Sequence, residues 1–192
     1  MNEKYKKLSD FGKKLLAKNS LDDGLLFISS SAKELIGSDR CSIFIYDVDA
    51  DELWTPLADG VEKITIPYDI GLVGQTIRLQ KPLMENEPYD NPNFLADVDM
   101  QTGYYTQNSL TTPIFNSKRK IIGVLQLLNK DGGFNKKDVE FITFFAHYIS
   151  GFIELEMKLM SWFYATFCRI KITLCVDQQL SSQTHCLLSD IF

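Results

Sequence analysis

The order of elements that the sequence predicts is that of an α+β domain with a central antiparallel sheet. Apolar residues recur at helical spacing over 3–18 and 21–36 near the start of the chain and over 136–159 near its end. Between them lie short β-branched and aromatic runs separated by turn-forming residues, a pattern typical of antiparallel strands. We expect the terminal helices to pack on one face of the sheet, which leaves the opposite face for a pocket.

The first half of the chain has clear element boundaries. Ser20 is a residue type that commonly caps a helix start and Gly37 one that commonly follows a helix end, so the second helix is predicted at 21–36. β-branched and aromatic residues then predict a strand at 41–46. The turn formers after it lead into a second strand at 52–58, so the two form a hairpin.

Turns and short elements alternate in the middle of the chain. A third strand is predicted at 63–66, and the glycines of 71–77 predict a tight turn that feeds a short helix. The two prolines of 86–98 predict an irregular loop. Two more strands, at 108–115 and 120–128, flank a turn and precede the long C-terminal helix.

These elements divide the chain into three parts: an N-terminal helix at 1–20, one domain at 21–159 and a C-terminal tail at 160–192. The tail has no clear hydrophobic period and is too short to build a second core. We expect it to extend the last helix and then to pack poorly. A remnant of a truncated larger gene is the alternative.

Composition excludes several classes of protein. The net charge is −5 and the chain has no long basic run, which argues against nucleic acid as a partner. The N-terminus lacks the apolar segment of a signal peptide, and no apolar stretch approaches the roughly 20 residues that a membrane span needs. The four cysteines contain no CxxC pair, so we expect a reduced, cytoplasmic protein without a metal site.

Three segments carry a resemblance to a known family: 40–44, 71–75 and 123–130 read RCSIF, GLVGQ and GVLQLLNK. Over about 21–159 the chain resembles a GAF domain. It is most similar to the cyclic-nucleotide-binding GAF domains of phosphodiesterases and cyanobacterial adenylyl cyclases. The resemblance implies a regulatory domain that is not an enzyme, requires no cofactor and binds cyclic AMP or cyclic GMP.

The signature of that subgroup is Asn-Lys, a variable gap, Phe, three residues and Asp-Glu. This chain supplies Asn129, Lys130, Phe134 and Asp138, with Val139 where the subgroup has Glu. The resemblance makes this segment a structural clasp over the pocket, in which the Lys and Asp form an ion pair without touching the ligand. The alternative is a solvated surface pair worth about 0–1 kcal/mol.

The phosphate of a cyclic nucleotide needs hydrogen-bond donors. Leu72 and Val73 begin a helix after Gly71, so their backbone N–H groups lack intrahelical partners and are candidates for the phosphate. An ordinary glycine turn before a helix is the alternative.

The polar segment before the predicted strand at 108–115 offers hydroxyl groups. Thr102 and Thr106 are four residues apart, so on a helical turn their hydroxyls face the same way. Asp99 is predicted to cap that turn as its N-cap residue or to accept a hydrogen bond from the ligand. The subgroup has pocket residues at all three positions, whereas helix capping alone is the alternative.

The purine is the remaining part of the ligand. In the family, the positions of Ser42 and Asp59 read the purine edge, although an ordinary turn residue is the alternative for Asp59. Gln126 departs from related cyclic-GMP binders, which carry Glu there. An amide both donates and accepts where a carboxylate only accepts, so the purine preference does not carry over and we lean toward cyclic AMP.

Together these residues predict a cytoplasmic sensing module of a bacterial signalling protein. Closure of the segment 86–107 over a small-molecule ligand would alter the packing of the terminal helices, which suit a homodimer. An output domain or partner protein would respond to that change. Two alternatives stay open: a degenerate GAF domain that dimerises or docks a partner without ligand, and a redox or free-amino-acid sensor that uses Cys41 or the apolar pocket.

Overall fold

The computed structural model describes residues 3–55 and 64–188, with the side chains of 9–55 and 65–162. Its six strands are β1 (Ser38–Asp47), β2 (Glu52–Thr55), β3 (Ile64–Pro67), β4 (Leu83–Glu85), β5 (Ser109–Phe115) and β6 (Ile121–Lys130). They form one sheet in the order β3-β2-β1-β6-β5-β4, and every neighbouring pair is antiparallel. The α+β class predicted from the sequence is confirmed.

Five helices accompany the sheet: α1 (Glu3–Leu16), α2 (Leu21–Ile36), α3 (Gly71–Leu79), α4 (Ala96–Thr102) and α5 (Lys136–Leu188). The bounds of α2 follow from its caps. The Ser20 side chain accepts a hydrogen bond from the Asp23 backbone N at 3.2 Å, and Gly37 ends the helix in the left-handed region. Both caps are those that the sequence predicts.

One face of the sheet forms the main core together with α1, α2 and α5. Successive side chains of a strand alternate between faces, so Cys41, Ile43 and Ile45 of β1 share one face, and all three are buried. Phe11 of α1 contacts Phe145 of α5 with ring centroids 5.1 Å apart. The fully buried side chains of this core include Ile28, Leu110, Leu125, Leu127, Ile142, Ile149 and Ile153.

The structure differs from the expected elements in the middle of the chain. β4 is a three-residue edge strand, too short for a periodic signal, and α4 lies partly within the segment expected to be an irregular loop. The N-cap residue of α4 is Leu95, which makes no side-chain capping bond, so the usual start signal is missing. A turn of 3₁₀ helix at Pro88–Asp90 precedes it.

The C-terminal helix is longer than its hydrophobic period indicates, since α5 continues from Lys136 to Leu188. The chain divides into two compact units between Glu154 and Leu155. The predicted division after residue 159 stays a prediction. Among the described helices, none combines the length and apolar character needed to cross a membrane.

Candidate functional site

A cavity of about 170 Å³ lies against the sheet face opposite the main core. Ser42 and Phe44 of β1 line it, and strand alternation places them on the other side of β1 from Cys41. Gln126 of β6 pairs with Ser42 and lines the cavity beside it. Because Cys41 is buried on the far side of the strand, it does not line this cavity.

Most of the cavity wall is apolar, and the polar side chains that line it are few. The apolar residues are Phe44, Ile66, Ile70, Leu72, Val73, Phe94, Leu95, Val98 and Leu128. The polar ones are Arg40, Ser42, Asp99, Thr102, Tyr104, Thr106 and Gln126. A largely apolar cavity with a few converging polar groups is typical of a small-molecule site.

Helix α3 points its N-terminus at the cavity. Its first internal hydrogen bond runs from Gly74 N to Ile70 O at 3.0 Å, so the N–H groups of Leu72 and Val73 are not used inside the helix. Gly74 lets the backbone of Asp69 pack closely against the helix, since a Cβ at position 74 would lie 2.3 Å from the Asp69 carbonyl carbon. The sequence thus places two backbone donors where an anionic group of a ligand would find them.

The segment 86–107, which we call the lid, covers the cavity, and Asp99 joins its parts. The buried Asp99 carboxylate accepts hydrogen bonds from Tyr89 Oη at 2.8 Å and from Thr106 N and Oγ1 at 2.6 and 2.9 Å. Asp99 is the fourth residue of α4, so the expectation that it is an N-cap residue is wrong. Its carboxylate instead binds donors from the two ends of the lid.

The two threonines do not share a helical turn either. Thr102 is the last residue of α4, and Gly103 follows with φ +67°, so the chain leaves the helix before Thr106. The Thr102 hydroxyl donates to Val98 O at 2.8 Å, and that of Thr106 donates to Asp99. Both side chains line the cavity, but their hydroxyl protons already have acceptors in the protein.

Both ends of the lid are fastened to the clasp, the segment 129–138. At one end, the Asn129 side chain accepts from Gln107 N at 2.7 Å and donates to Tyr105 O at 2.7 Å. At the other end, the Asn86 side chain donates to Phe134 O at 3.0 Å and accepts from Phe134 N at 2.9 Å. Each side-chain amide thus both donates to and accepts from the backbone of the other segment, and so fixes one end of the lid to the clasp.

The clasp is itself anchored to the start of α5. Lys130 Nζ lies 2.6 Å from Asp138 Oδ1, and only 19% and 12% of the two side chains are exposed. The second carboxylate oxygen of Asp138 accepts from Asn135 N at 3.0 Å, while Asn135 Oδ1 accepts from Lys137 N at 2.9 Å. The ion pair is thus joined to a reciprocal cap of α5, which links the clasp to the terminal helix.

Two cavity residues, Arg40 and Tyr104, have no place in the site predicted from the sequence. The guanidinium carbon of Arg40 lies 3.7 Å from the centroid of the Tyr104 ring, and Tyr104 Oη donates to Asp39 Oδ2 at 2.8 Å. Burial, with the hydrogen bond to Asp39 next, raises the pKa of Tyr104 well above its usual value. Strand alternation could have found Arg40, since it is two residues before Ser42 on the same face.

Every predicted ligand-contact residue that the structure describes lines the cavity: Ser42, Leu72, Val73, Asp99, Thr102, Thr106 and Gln126. Asp59 lies outside the described residues. Of the predicted clasp residues, Asn129 and Phe134 bond the lid and Lys130 and Asp138 anchor the clasp to α5, and none of the four lines the cavity. Within the part of the chain that the structure describes, no three His, Cys, Asp or Glu side chains are grouped to hold a metal ion.

A single sheet with helices on one face and a covered cavity on the other is the architecture of a small ligand-sensing domain. The chain belongs to the GAF domain family, whose model matches residues 23–153. GAF domains are regulatory sensor modules.

Known relatives agree with this family assignment. A cGMP-specific 3′,5′-cyclic phosphodiesterase of Drosophila ananassae is 31% identical over 137 residues, which span 67% of this chain and only 11% of that protein. The GAF domain of a phosphoenolpyruvate-protein phosphotransferase from Coxiella burnetii superposes with a TM-score of 0.73 at 18% identity, over 82% of this chain and 96% of that one.

A second similar structure is that of a protein named as an enzyme. The free methionine-R-sulfoxide reductase of Neisseria meningitidis has a TM-score of 0.67 at 18% identity, over 79% of this chain and 89% of that one. At this identity the likeness shows the fold alone.

Proposed function

We propose that this chain is a regulatory, non-catalytic GAF domain that binds a cyclic nucleotide or a similarly small molecule in the cavity under the lid. The observation that carries the proposal is the fastening of both lid ends to the clasp, by Asn129 and Asn86. Such a lid encloses a ligand and reports its presence to the helix that follows the clasp. Further expectations are a cytoplasmic location, a bacterial signalling protein and no required cofactor.

In this proposal the cyclic phosphate accepts hydrogen bonds from the backbone N–H groups of Leu72 and Val73 at the N-terminus of α3. The purine lies along β1 and β6, where Ser42 and Gln126 offer a hydroxyl and an amide. The apolar walls of the cavity cover the two faces of the ring. The 31% identity to a phosphodiesterase named for cyclic GMP supports a ligand of this class.

The size of the cavity predicts that ligand entry moves the lid. Pockets for ligands of drug size enclose roughly 300–1,000 Å³, whereas this cavity measures about 170 Å³. A nucleotide therefore requires the lid to shift outward and to close again around it. Because the clasp is fixed to the start of α5 through Lys130 and Asp138, a change in the lid reaches that helix.

A thermal-shift experiment tests this proposal. A millimolar excess of cyclic AMP or cyclic GMP should raise the melting temperature by several degrees, since a ligand at about 100 times its Kd adds about 2.7 kcal/mol of stability. Thr106→Ala should abolish the rise because it loosens the closed lid. Thr143→Ala is the matched control, as its hydroxyl bonds Val139 O on α5. No rise in the wild-type protein with either nucleotide contradicts the proposal.

A second candidate function, homodimerisation without a ligand, is favoured by the surface of α5. Leu155, Leu159 and Trp162 are 55%, 43% and 61% exposed, and their spacing of four and three residues places them on one stripe. Sedimentation of the wild-type chain and of Leu159→Glu tests this candidate. A dimer that dissociates in the variant supports it, and a wild-type monomer at high concentration contradicts it.

A further inference from the structure

The guanidinium of Arg40 is half-buried at the cavity and has unused donors. Among the residues described, it contacts the Tyr104 ring, whose centroid lies 3.7 Å from the guanidinium carbon. Among the described residues, none forms an ion pair with it or accepts a hydrogen bond from it. A guanidinium carries five N–H donors in a fixed planar fork, and Arg40 lines the cavity. The cavity therefore presents a fork of donors that a ligand can use.

Tyr104 fixes the orientation of this fork. Its ring covers one face of the guanidinium, and its hydroxyl donates to Asp39 at 2.8 Å, so Asp39 holds the ring in place. A ring stacked on the flat face leaves the N–H groups free at the edge, in the guanidinium plane. Two of those N–H groups run parallel and match two neighbouring acceptor atoms.

The strand geometry places Arg40 far from the N-terminus of α3. Val73 of α3 packs in a buried cluster with Phe44 of β1, whereas Arg40 is four residues further along the same strand. At about 3.3 Å per residue, Phe44 and Arg40 are roughly 13 Å apart. Ser42 lies between them. A nucleotide whose phosphate is bound at α3 therefore extends its base toward Arg40.

We propose that Arg40 determines which purine the cavity accepts, by donating two hydrogen bonds to the O6 and N7 atoms of a 6-oxopurine. This inference rests on the proposed cyclic-nucleotide function. A 6-aminopurine presents an N6 donor next to N7, so it meets the guanidinium with a donor facing a donor. The ligand is then cyclic GMP in preference to cyclic AMP.

This preference is opposite to the one that Gln126 alone suggests. An amide can turn to present either its oxygen or its nitrogen, so Gln126 accommodates both purines. Arg40 only donates and cannot adapt in this way. Arg40 is the specificity-determining residue, and Tyr104 is a positioning residue that acts through it.

Isothermal titration with three cyclic nucleotides tests the inference. Cyclic GMP and cyclic IMP share O6 and N7, whereas cyclic AMP has the amino group. The wild-type protein should bind the first two at least about tenfold more tightly than cyclic AMP, the discrimination expected of one bidentate pair. Cyclic AMP that binds as tightly as cyclic GMP overturns the inference, and so does cyclic IMP that binds as weakly as cyclic AMP.

Variants locate the discrimination at Arg40. Arg40→Met and Arg40→Lys should both lose most of it, because Lys keeps the charge but not the fork. Arg119→Met, at an exposed turn, is the matched control and should retain it. Tyr104→Leu should reduce the ratio of the dissociation constant of cyclic AMP to that of cyclic GMP. Tyr104→Phe keeps the ring and should keep most of that ratio. An unchanged ratio in Arg40→Met overturns the inference.

The outcomes separate this inference from the proposed function. Binding of all three nucleotides without preference overturns only the role of Arg40. No binding of any nucleotide to the wild-type protein overturns both. Melting temperatures without ligand show that each variant is folded, and the wild-type comparison of the three nucleotides needs no variant at all.

Discussion

Thr106 donates two hydrogen bonds to Asp99, from its backbone N at 2.6 Å and from Oγ1 at 2.9 Å. The same carboxylate accepts from Tyr89, so one buried charge holds three donors of the lid. Hydrogen bonds to a charged acceptor are stronger than those between neutral groups. The Asp–Thr pair therefore closes the lid in this structure, and its part in binding is to hold the cavity shut.

Replacing Asp99 should open the lid. Asp99→Asn exchanges an acceptor oxygen for an NH₂ group that faces other donors, and each hydrogen bond to a charged group contributes about 1.5–3 kcal/mol. We expect faster hydrogen exchange across residues 86–107 and an opening free energy lower by about 2 kcal/mol or more. Asp97→Asn, on the exposed side of the same helix, is the control. Equal exchange in the two variants contradicts the role given to Asp99.

The hydrogen bond from Tyr89 should be insensitive to pH through the neutral range. Desolvation, followed by the hydrogen bond to Asp99, raises the pKa of Tyr89 to about 12 from its usual value of 10.0. The protonated phenol is the form that donates, so its contribution is complete below pH 10 and is lost as the pH rises through 12. The difference in absorbance at 295 nm between wild type and Tyr89→Phe should therefore appear near pH 12. A difference already complete at pH 10 contradicts this.

The ion pair of Lys130 and Asp138 should contribute more than an exposed pair. Both side chains are largely buried and joined at 2.6 Å. In a double-mutant cycle with Lys130→Met and Asp138→Asn, we expect a coupling free energy of unfolding of about 1 kcal/mol or more. Urea unfolding of the four proteins measures it. A coupling free energy near zero would show that the two residues behave as a solvated surface pair, without a structural role.

Two neighbouring threonines of β5 should respond oppositely to the same change. The buried Thr111 hydroxyl bonds the Thr76 hydroxyl of α3, whereas the buried Thr112 hydroxyl has no partner among the described residues. Thr111→Val should destabilise the fold by about 1 kcal/mol because it removes the hydrogen bond between the Thr111 and Thr76 hydroxyls. Thr112→Val should be neutral or stabilising by up to about 1 kcal/mol. Thermal unfolding measures both, and equal losses would contradict the assignment.

Local signals made most of the fold predictable from the sequence. Ser20 and Gly37 bracket α2 because a cap depends on a few neighbouring residues. β4 and α4 were not predicted because neither has a local sequence signal. β4 is a three-residue edge strand, and the Leu95 side chain does not cap α4. The position of β4 depends on pairing with β5, more than 20 residues away, and that of α4 on the hydrogen bonds of Asp99 to Tyr89 and Thr106, which lie outside the helix.

The candidate site was predictable in its members and less so in their roles. Ser42 and Gln126 line the cavity because strand alternation fixes their face. Asp99 was expected to cap a helix, since that is the common use of an isolated Asp near a turn. Its actual donors come from Tyr89 and Thr106, and only tertiary folding brings them together. The hydrogen bonds of the Asn129 and Asn86 side chains between the lid and the clasp join residues 22 and 48 positions apart, so they too depend on the tertiary fold.

We propose above all that a small ligand binds in the cavity under the lid. The most direct test is a titration of the ¹⁵N-labelled chain with cyclic GMP, followed in two-dimensional amide spectra. We predict saturable shifts at Ser42, Leu72 and Gln126 and across residues 86–107, with smaller shifts at the start of α5. The absence of shifts, or shifts confined to the distant groove beside Ser117 and Glu154, would contradict the account.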